Sequence, residues 1–413
     1  MKLVVQVKLE PTPVQAAALE ATLAACNEAA TWVSTVAFEK NTKRTYDLRK
    51  HTYTEIRSRW GLGAQAAQHV IKKTCDAYAT LKANLKAGNL GRPGSRRHVK
   101  ATGKPVAFRP QSAQPYDDRM LSWQMDQHRI SIWTVHGRIK DISFTGGAQQ
   151  LATLAKYRKG ESDLLVRDGM WFLQATCEIP EQPLNTEVDD FLALDLGIVN
   201  IATTSDGEIM AGRQLNRTRE RDRKLRTKLQ KKNTPSAKRR LKERRRKEQR
   251  RARDINHKIA KHVVAEAERT GRGIALEELT GIRERVRLRK PQRVTLHSWA
   301  FAQLDGFICY KSRRAGVPVV HVDAAYTSRT CAECGHIDKA NRVNQAHFAC
   351  RSCGFVDHAD RNGSRNIRAR ACEMWRRRGV ESTAPASPRK TRGGTGRKRS
   401  ATTSGARCAS PSL

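Results

Sequence analysis

The spacing of apolar residues divides the chain into regions of helical and of strand character. Apolar positions recur every three or four residues over 16–33 and again over 67–85, which is typical of amphipathic helices. A short strand-like segment, residues 1–11, precedes them. The pattern therefore predicts a helical region over residues 12–100.

The period of the apolar residues changes to two in the next region. Two stretches alternate apolar and polar residues, and each contains a glycine-bearing turn, one near Gly137 and one near Gly169. Alternation interrupted by such a turn indicates a β-hairpin. Residues 101–185 are therefore predicted to form a small β domain, with residues 1–11 as its first strand.

Residues 186–325 alternate buried strands with helices. The segments "LALDLG" and "IALEEL" are short, mostly apolar runs that end in acids, and "HSWAFAQLDGFICYKSRRAG" has helical periodicity. Alternation of this kind is typical of an α/β sheet. Between the first two strands lies a strongly basic segment, 213–267, which we expect to be a helical hairpin broken near "NTPSA".

The charge of the chain indicates its function more clearly than its amino-acid composition does. The chain has 413 residues and a formal net charge of +39. Residues 213–253 hold 21 Lys and Arg against 4 Asp and Glu, a net charge of +17. An excess of this size points to a polyanionic partner, and nucleic acid is favoured over an anionic membrane because no apolar face accompanies the basic runs. The expected phosphate-binding residues are Lys231, Lys232, Lys238, Arg239, Arg240, Arg244, Arg245, Arg246, Arg250 and Arg251.

The cysteines and the ends of the chain indicate its compartment. The N-terminal apolar run is too short for a secretion signal, and no stretch approaches the length of a membrane span. Six of the ten cysteines are scattered without recognisable spacing, which is typical of a reducing compartment. We therefore expect a cytoplasmic protein. Residues 376–413, rich in Ser, Gly, Pro and Arg, are predicted to be a disordered tail.

The remaining four cysteines form two C-x-x-C pairs. Cys331 and Cys334 precede Cys350 and Cys353, and a glycine follows each pair. This spacing suits two knuckles that fold onto one tetrahedral zinc ion. A redox pair or a coincidence is the alternative, but two pairs in register are rarely either. Residues 326–356 are therefore predicted to be a zinc ribbon holding one structural Zn²⁺ ion.

Three acids lie at positions where they could bind catalytic metal ions. Asp195 and Glu277 lie within apolar strands, and Asp360 follows the ribbon closely. A carboxylate in an apolar strand is costly to bury unless it is paired or binds a metal. Three such acids can hold two Mg²⁺ ions for phosphodiester cleavage. Spacing alone leaves open the alternative that they are surface acids at strand ends.

A set of motifs in fixed order carries a family resemblance. The segments "ALDLG", "ALEEL", "YTSRTCAECG", "FACRSCG" and "HADRNGSRNI" together resemble TnpB, the RNA-guided nuclease of bacterial insertion sequences, and the related compact type V CRISPR effectors. The resemblance covers residues 190–370, and the N-terminal segment is also similar. It implies a RuvC-like, RNase H-type nuclease domain that ends at 357–375 and carries the zinc ribbon as an insertion. It also implies that the helical region 12–100 is a recognition region and that the β domain 101–185 is of the wedge type.

The resemblance also implies a function. Asp195, Glu277 and Asp360 would be the catalytic acids, holding two Mg²⁺ ions that Mn²⁺ can replace. The partners would be a guide RNA and target double-stranded DNA, with no membrane, and a monomer is favoured. The protein would be bacterial and would associate with the nucleoid when bound to DNA. Base pairing would supply the target sequence while the protein reads a short adjacent motif. Two alternatives remain, a DNA-binding regulator and a transposase without guide RNA.

The chain departs from the family pattern at two places. Ala324 and Ala325 replace a common Asp-Pro, and Gly363 and Ser364 replace a common Ala-Ala. Neither position would bind metal. Asn362 and Asn366 fit the pattern, and we interpret them as residues that order the helix presenting Asp360. On this reading the ribbon braces the nuclease domain.

Overall fold

The structure, a computed structural model, describes residues 1–279 and 300–383. The described residues form two compact units, Met1–Ile179 and the part of the chain from Pro180 onward. The content is mixed α and β, as the sequence predicts. Within the described residues, no helix is both long enough and apolar enough to cross a membrane.

The first unit contains a seven-stranded antiparallel sheet, in the order β2-β6-β7-β1-β5-β4-β3. The N-terminal strand lies in its centre, paired with β7 on one side and β5 on the other. Both predicted hairpins are present, as β4–β5 and β6–β7. The strands are β1 (Lys2–Glu10), β2 (Gln114–Tyr116), β3 (Leu121–Gln124), β4 (Arg129–Thr134), β5 (Gly137–Thr145), β6 (Arg158–Arg167) and β7 (Met170–Glu178).

Three long helices and two short ones complete the first unit. The first begins at a capping box, in which the Thr12 hydroxyl accepts from the N–H of Gln15 and the Gln15 side chain accepts from the N–H of Thr12. These bonds satisfy two backbone donors that a helix N-terminus otherwise leaves free. The helices are α1 (Pro13–Glu39), α2 (Thr45–Trp60), α3 (Ala64–Lys86), α4 (Arg96–Thr102) and α5 (Ala148–Tyr157).

The second unit contains a five-stranded mixed sheet in the order β10-β9-β8-β11-β12. β8, β11 and β12 are parallel, and β9 and β10 run antiparallel to their neighbours. The basic hairpin breaks at Asn233 and Thr234, as "NTPSA" predicts. The elements are β8 (Phe191–Asp195), β9 (Asn200–Thr204), β10 (Ile209–Ala211), α6 (Arg213–Lys232), α7 (Pro235–Arg269), β11 (Gly273–Glu277), α8 (Phe301–Ala315), β12 (Val319–Val322) and α9 (Ala359–Thr383).

The two faces of this sheet pack against different helices. Alternate side chains of β8, β11 and β12 point to opposite faces. One face forms a buried cluster with α9, made of Phe191, Ala193, Ala275, Val320, Val322, Ile367 and Ala371. Leu192, Leu194, Ile274 and Leu276 belong to the other face and are also buried. The apolar strands are therefore covered on both sides, which explains why their sequences are nearly continuous apolar runs.

Between β12 and α9 the chain forms the four-cysteine module. It contains a small antiparallel pair, β13 (His347–Ala349) and β14 (Val356–His358), and a single 3₁₀ turn, Lys339–Asn341. Gly335 and Gly354 have positive φ angles of 75° and 74°, as expected for glycines that turn the backbone after each cysteine pair.

The predicted tail begins later than the sequence suggests. Helix α9 continues to Thr383, so the expectation of disorder is wrong for residues 376–383. Trp375 packs on the core cluster, and Arg377 forms an i,i+4 ion pair with Glu373, and both contacts support a further helical turn. The rest of the predicted tail, residues 384–413, lies outside the described residues.

Candidate functional site

Two acids stand side by side at the carboxyl ends of parallel strands. Asp195 is the last residue of β8, and Glu277 is the last residue of β11. The register pairs Leu194 with Leu276, so the two acids follow at the next position of adjacent strands. Each acid is two residues beyond an alanine of the α9-facing cluster, and both therefore belong to that face.

Helix α9 brings the third acid to the same place. Asp360 lies in its first turn and is 4% exposed. That turn approaches β8 closely, because a Cβ atom built on Gly363 would lie 2.9 Å from Asp195 Oδ2. Gly363 thus permits a close approach that a side chain would obstruct. Three acids that are 82 and 83 residues apart in sequence meet because the end of a parallel sheet faces the start of a helix.

Polar neighbours orient two of the three carboxylates. Asn200 Nδ2 donates to Asp360 Oδ2 at 2.9 Å, and Arg342 Nη2 donates to Asp360 Oδ1 at 3.1 Å. The Thr327 hydroxyl donates to Glu277 Oε1 at 2.5 Å. Both oxygens of Asp360 are therefore held by side chains from different parts of the unit.

The electrostatics of the cluster disfavour charge on two of its members. Burial raises the pKa of Asp195 well above its usual range, the charges of Glu277 and Asp360 raise it further, and Arg342 opposes them. Burial also raises the pKa of Glu277, against the Thr327 hydrogen bond and the positive charge of Arg370. Carboxylates that repel one another in a confined space form an attractive site for a divalent cation.

The donor set tests whether metal ions fit this site. All the ligands are carboxylate oxygens, the type that Mg²⁺ and Mn²⁺ prefer. Among the described residues, the three carboxylates do not form a group whose ligand atoms all lie within 4.8 Å of one another. The type of donor, and not the spacing of the ligand atoms, is therefore what fits Mg²⁺ or Mn²⁺ at this site.

The four cysteines do form a tight group. Cys331 Sγ lies 3.7 Å from Cys353 Sγ, Cys334 Sγ lies 3.6 Å from Cys350 Sγ, and all four sulfur atoms lie within 4.8 Å of one another. A disulfide would need a separation of about 2.05 Å. A tetrahedron with Zn–S bonds of about 2.3 Å places its sulfur atoms about 3.8 Å apart. The sulfur geometry fits one zinc ion.

The base of the ribbon is joined to the start of α9 by two asparagines. Asn362 accepts from the N–H of Ala332 at 3.0 Å and donates to the carbonyl of Thr330 at 2.8 Å. Asn366 donates to the same Thr330 carbonyl at 2.7 Å and to the carbonyl of Thr327 at 2.8 Å. The asparagines therefore do more than order the helix, because they tie it to the chain entering the ribbon.

The ten predicted phosphate-binding residues divide into three groups. Arg244 Nη2 and Arg251 Nη1 contact the buried Asp222 of α6 at 2.5 Å and 3.3 Å, so these two hold the helical hairpin together. Arg246 is partly buried. The other seven are exposed on the hairpin: Lys231, Lys232, Lys238, Arg239, Arg240, Arg245 and Arg250.

Sequence reasoning missed three residues that contact the acids. Thr327 stands within "YTSRTCAECG", a motif used for its cysteines, and its position beside the third strand is a signal that could have identified it. Asn200 and Arg342 lie 160 and 18 residues from Asp360. No spacing rule connects them with an acid, and only the fold brings them together.

Two protein-family models match this chain, and each covers part of the site. Residues 174–280, which include Asp195 and Glu277, match a family model described as a probable transposase, OrfB_IS605. Residues 301–367, which include the four cysteines and Asp360, match the Cas12f1-like TNB domain. The resemblance to TnpB and to compact CRISPR effectors is thereby confirmed.

Individual relatives agree with these models. The CRISPR-associated endodeoxyribonuclease Cas12f1 of Sulfoacidibacillus thermotolerans is 39% identical over 94 residues, 22% of this chain and 21% of that protein. The TnpB-like protein MJ0751 of Methanocaldococcus jannaschii is 37% identical over 126 residues, 30% of this chain and 45% of that protein. The matches span less than half the length of either relative.

A solved structure resembles most of the chain. The mini-RNA-guided endonuclease CRISPR-Cas_phi3 superposes with a TM-score of 0.51 over 91% of this chain and 93% of that one, at 10% sequence identity. At this identity the likeness concerns the fold.

Proposed function

We propose that this chain is an RNA-guided DNA endonuclease, encoded by a transposable element, that cleaves target DNA beside a short motif. One observation carries the proposal: two parallel strands end in adjacent carboxylates, Asp195 and Glu277, and the first turn of α9 adds Asp360. The mixed sheet with a helix on the acid-bearing face supports a RuvC-like, RNase H-type domain. Its relatives include proteins named as endonucleases.

The catalytic chemistry follows from the three acids and their neighbours. Two bound Mg²⁺ ions, or Mn²⁺ in their place, would activate a water and stabilise the leaving oxygen. The residues of the chain hold the carboxylate ligands in position. Thr327 fixes the Glu277 carboxylate, and Asn200 and Arg342 fix both oxygens of Asp360, so the ligand set is held before DNA arrives.

Nucleic acid would bind through charge on the second unit and through the first unit. The seven exposed basic residues of the α6–α7 hairpin would contact phosphates of a guide RNA or of its heteroduplex with target DNA, without reading bases. The helical region 12–100 and the β domain 101–185 would grip the RNA and read the adjacent motif. Among the described residues no two cysteines form a disulfide, as a reducing compartment would require.

A compact type V CRISPR effector is the second candidate, favoured by the match of residues 301–367 to the Cas12f1-like model. Its chemistry would be the same. The genes beside this one distinguish the two, since a transposon end indicates the mobile-element nuclease and a repeat array indicates the effector.

Co-purified RNA is the first test. The chain is expressed with its native flanking DNA and purified, and the bound RNA is sequenced. A structured RNA of uniform length, which survives moderate salt, supports guided cleavage. Sequence-specific DNA binding by RNA-free protein would instead support a regulator or a transposase that uses no guide.

The second test is cleavage of a plasmid library that carries the sequence matching that RNA beside a randomised motif. Replacing Asp195, Glu277 or Asp360 singly by Ala should abolish cleavage in Mg²⁺ or Mn²⁺ and leave RNA binding intact. Glu278→Ala is the matched control, because adjacent strand residues point to opposite faces. If all four variants cut normally, the assignment of this site is wrong. If only Glu278→Ala is inactive, the motif alignment is displaced by one residue.

A further inference from the structure

A second group of metal-binding side chains lies on the other face of the same sheet. Asp305 and Cys309 are four residues apart and therefore share one face of α8. His321 lies on β12 between Val320 and Val322, whose side chains face α9. Alternation along the strand directs His321 away from α9. Gly316, in the left-handed conformation, ends α8 and leads the chain into β12.

The three side chains converge on one point. His321 Nε2 lies 2.7 Å from Asp305 Oδ1, and Cys309 Sγ lies 3.8 Å from the same oxygen. Their ligand atoms all lie within 4.8 Å of one another, the same criterion that the four ribbon cysteines satisfy. An ordinary His–Asp pair explains the shorter contact. It does not explain why a thiol is directed at the same carboxylate oxygen.

The chemistry of these donors selects the metal. A thiolate, an imidazole nitrogen and a carboxylate oxygen form a mixed set that suits Zn²⁺ or Co²⁺ and does not suit Mg²⁺. Cys309 is 3% exposed, whereas the side chains of His321 and Asp305 are 21% and 39% exposed. The site is thus closed on the thiol side and open to solvent on the other, where an ion can enter and water can complete the coordination.

We propose that Asp305, Cys309 and His321 form a second zinc-class metal site, separate from the four-cysteine ribbon and from the three acids. Its metal would clamp α8 against β12. Because β12 pairs with β11 at the register that matches His321 with Leu276 and Val322 with Glu277, the clamp would stiffen the sheet beside Glu277. The inference does not depend on the proposed nuclease activity.

Metal stoichiometry tests the proposal in the full chain. Protein is loaded with Zn²⁺, desalted and measured by mass spectrometry of the metal. We expect two zinc equivalents per wild-type chain, and one for Cys309→Ser and for His321→Gln. Cys372→Ser is the matched control, because Cys372 Sγ also contacts an aspartate, Asp190, at 3.7 Å. The described residues offer that pair no third ligand within 4.8 Å, so this variant should keep both equivalents.

A spectroscopic readout separates loss of the metal from loss of the fold. Chains produced with Co²⁺ should show, in the difference spectrum of wild type minus His321→Gln, a thiolate-to-cobalt band with tetrahedral visible bands. His321 is partly exposed, so this variant should fold even if Cys309→Ser does not. One zinc equivalent in the wild type, or two in both site variants, would overturn the proposal, as would a featureless difference spectrum.

Discussion

Replacing Asp195 by Asn should stabilise the metal-free protein while it abolishes cleavage. Burial and the neighbouring carboxylates of Glu277 and Asp360 raise the pKa of Asp195 well above its usual range. A carboxyl group whose pKa is higher in the folded state than in the unfolded state opposes folding at pH values above its unfolded pKa. The amide of asparagine has a similar shape and removes this opposition.

The magnitude is bounded by linkage. The unfolded pKa of an aspartate is about 3.9, and each pH unit above it can contribute about 1.4 kcal/mol, so the cost at pH 7 is at most about 4 kcal/mol. Asp195 keeps a partial opening to solvent, so the gain should stay below this bound. For a unit of this size each kcal/mol corresponds to a rise in Tm of about 2–4 °C.

The sign of the pH dependence gives the sharper test. For Asp195 the cost grows as pH rises from the unfolded pKa toward the folded one, so the gain in Asp195→Asn should increase between about pH 5.5 and about pH 7.5. Thermal unfolding is measured in Mg²⁺-free buffer within this range, where zinc thiolates stay bound. Adding Mg²⁺ should then raise the Tm of the wild type and leave that of the variant unchanged.

Asp190, immediately before β8, supplies a control of opposite sign. Partial burial raises its pKa, but two hydrogen bonds from Arg368, at 2.6 and 2.7 Å, the N–H of Phe191 and the charges of Arg368 and Arg272 together hold the pKa below its usual range. Its stabilising effect is present above the unfolded pKa and is lost only in stronger acid. Asp190→Asn should therefore lower the Tm equally at both pH values. If Asp195→Asn behaves like Asp190→Asn, the carboxylate cluster is not repulsive and our reasoning about the site fails.

Three further outcomes follow from the ribbon and the hairpin. Cys350→Ser should lose the ribbon zinc, and zinc analysis that finds wild-type content would contradict the four-cysteine site. Asn362→Ala removes hydrogen bonds to Ala332 and Thr330 and should cost about 1–3 kcal/mol in chemical unfolding; an unchanged midpoint would show that the ribbon is not tied to α9. Neutralising four exposed hairpin residues should reduce the slope of log RNA affinity against log salt concentration. The expected reduction is about 0.7–0.9 for each phosphate that the hairpin no longer binds. An unchanged slope would show that the hairpin is a solvated surface. The four residues are Lys238, Arg239, Arg240 and Arg245.

Local sequence patterns predicted most elements of the fold because periodicity reports which face is buried. The hairpin at Gly137 and the helix break at Asn233 needed only neighbouring residues. The pattern could not show where α9 ends, because its last turns depend on the packing of Trp375 onto the sheet. Composition, which predicted disorder from residue 376, carries no information about such packing.

Only some residues of the candidate site could be predicted from the sequence. Asp195 and Glu277 are visible in the sequence as acids that interrupt apolar strands. Arg342 and Asn200 look like ordinary surface residues there, because what distinguishes them is a distance to Asp360 that only the fold creates. Likewise, Asp305 and Cys309 have readable i,i+4 spacing, but His321 joins them only when β12 packs beside α8.

The position of the ribbon explains why a zinc module belongs in this site. Its buried cluster contains Cys331, Phe348, Cys350 and Ala359, and Ala359 immediately precedes Asp360. The ribbon also carries Arg342, which holds one oxygen of Asp360. A ribbon without its zinc would release both of these constraints on Asp360. It would leave Asp195 and Glu277 on the strands of a separate core cluster, although Glu277 would lose the support of Thr327 at the start of the ribbon. Zinc removal should therefore impair cleavage through Asp360 while the sheet remains folded. As zinc is removed, cleavage should therefore be lost before the sheet unfolds.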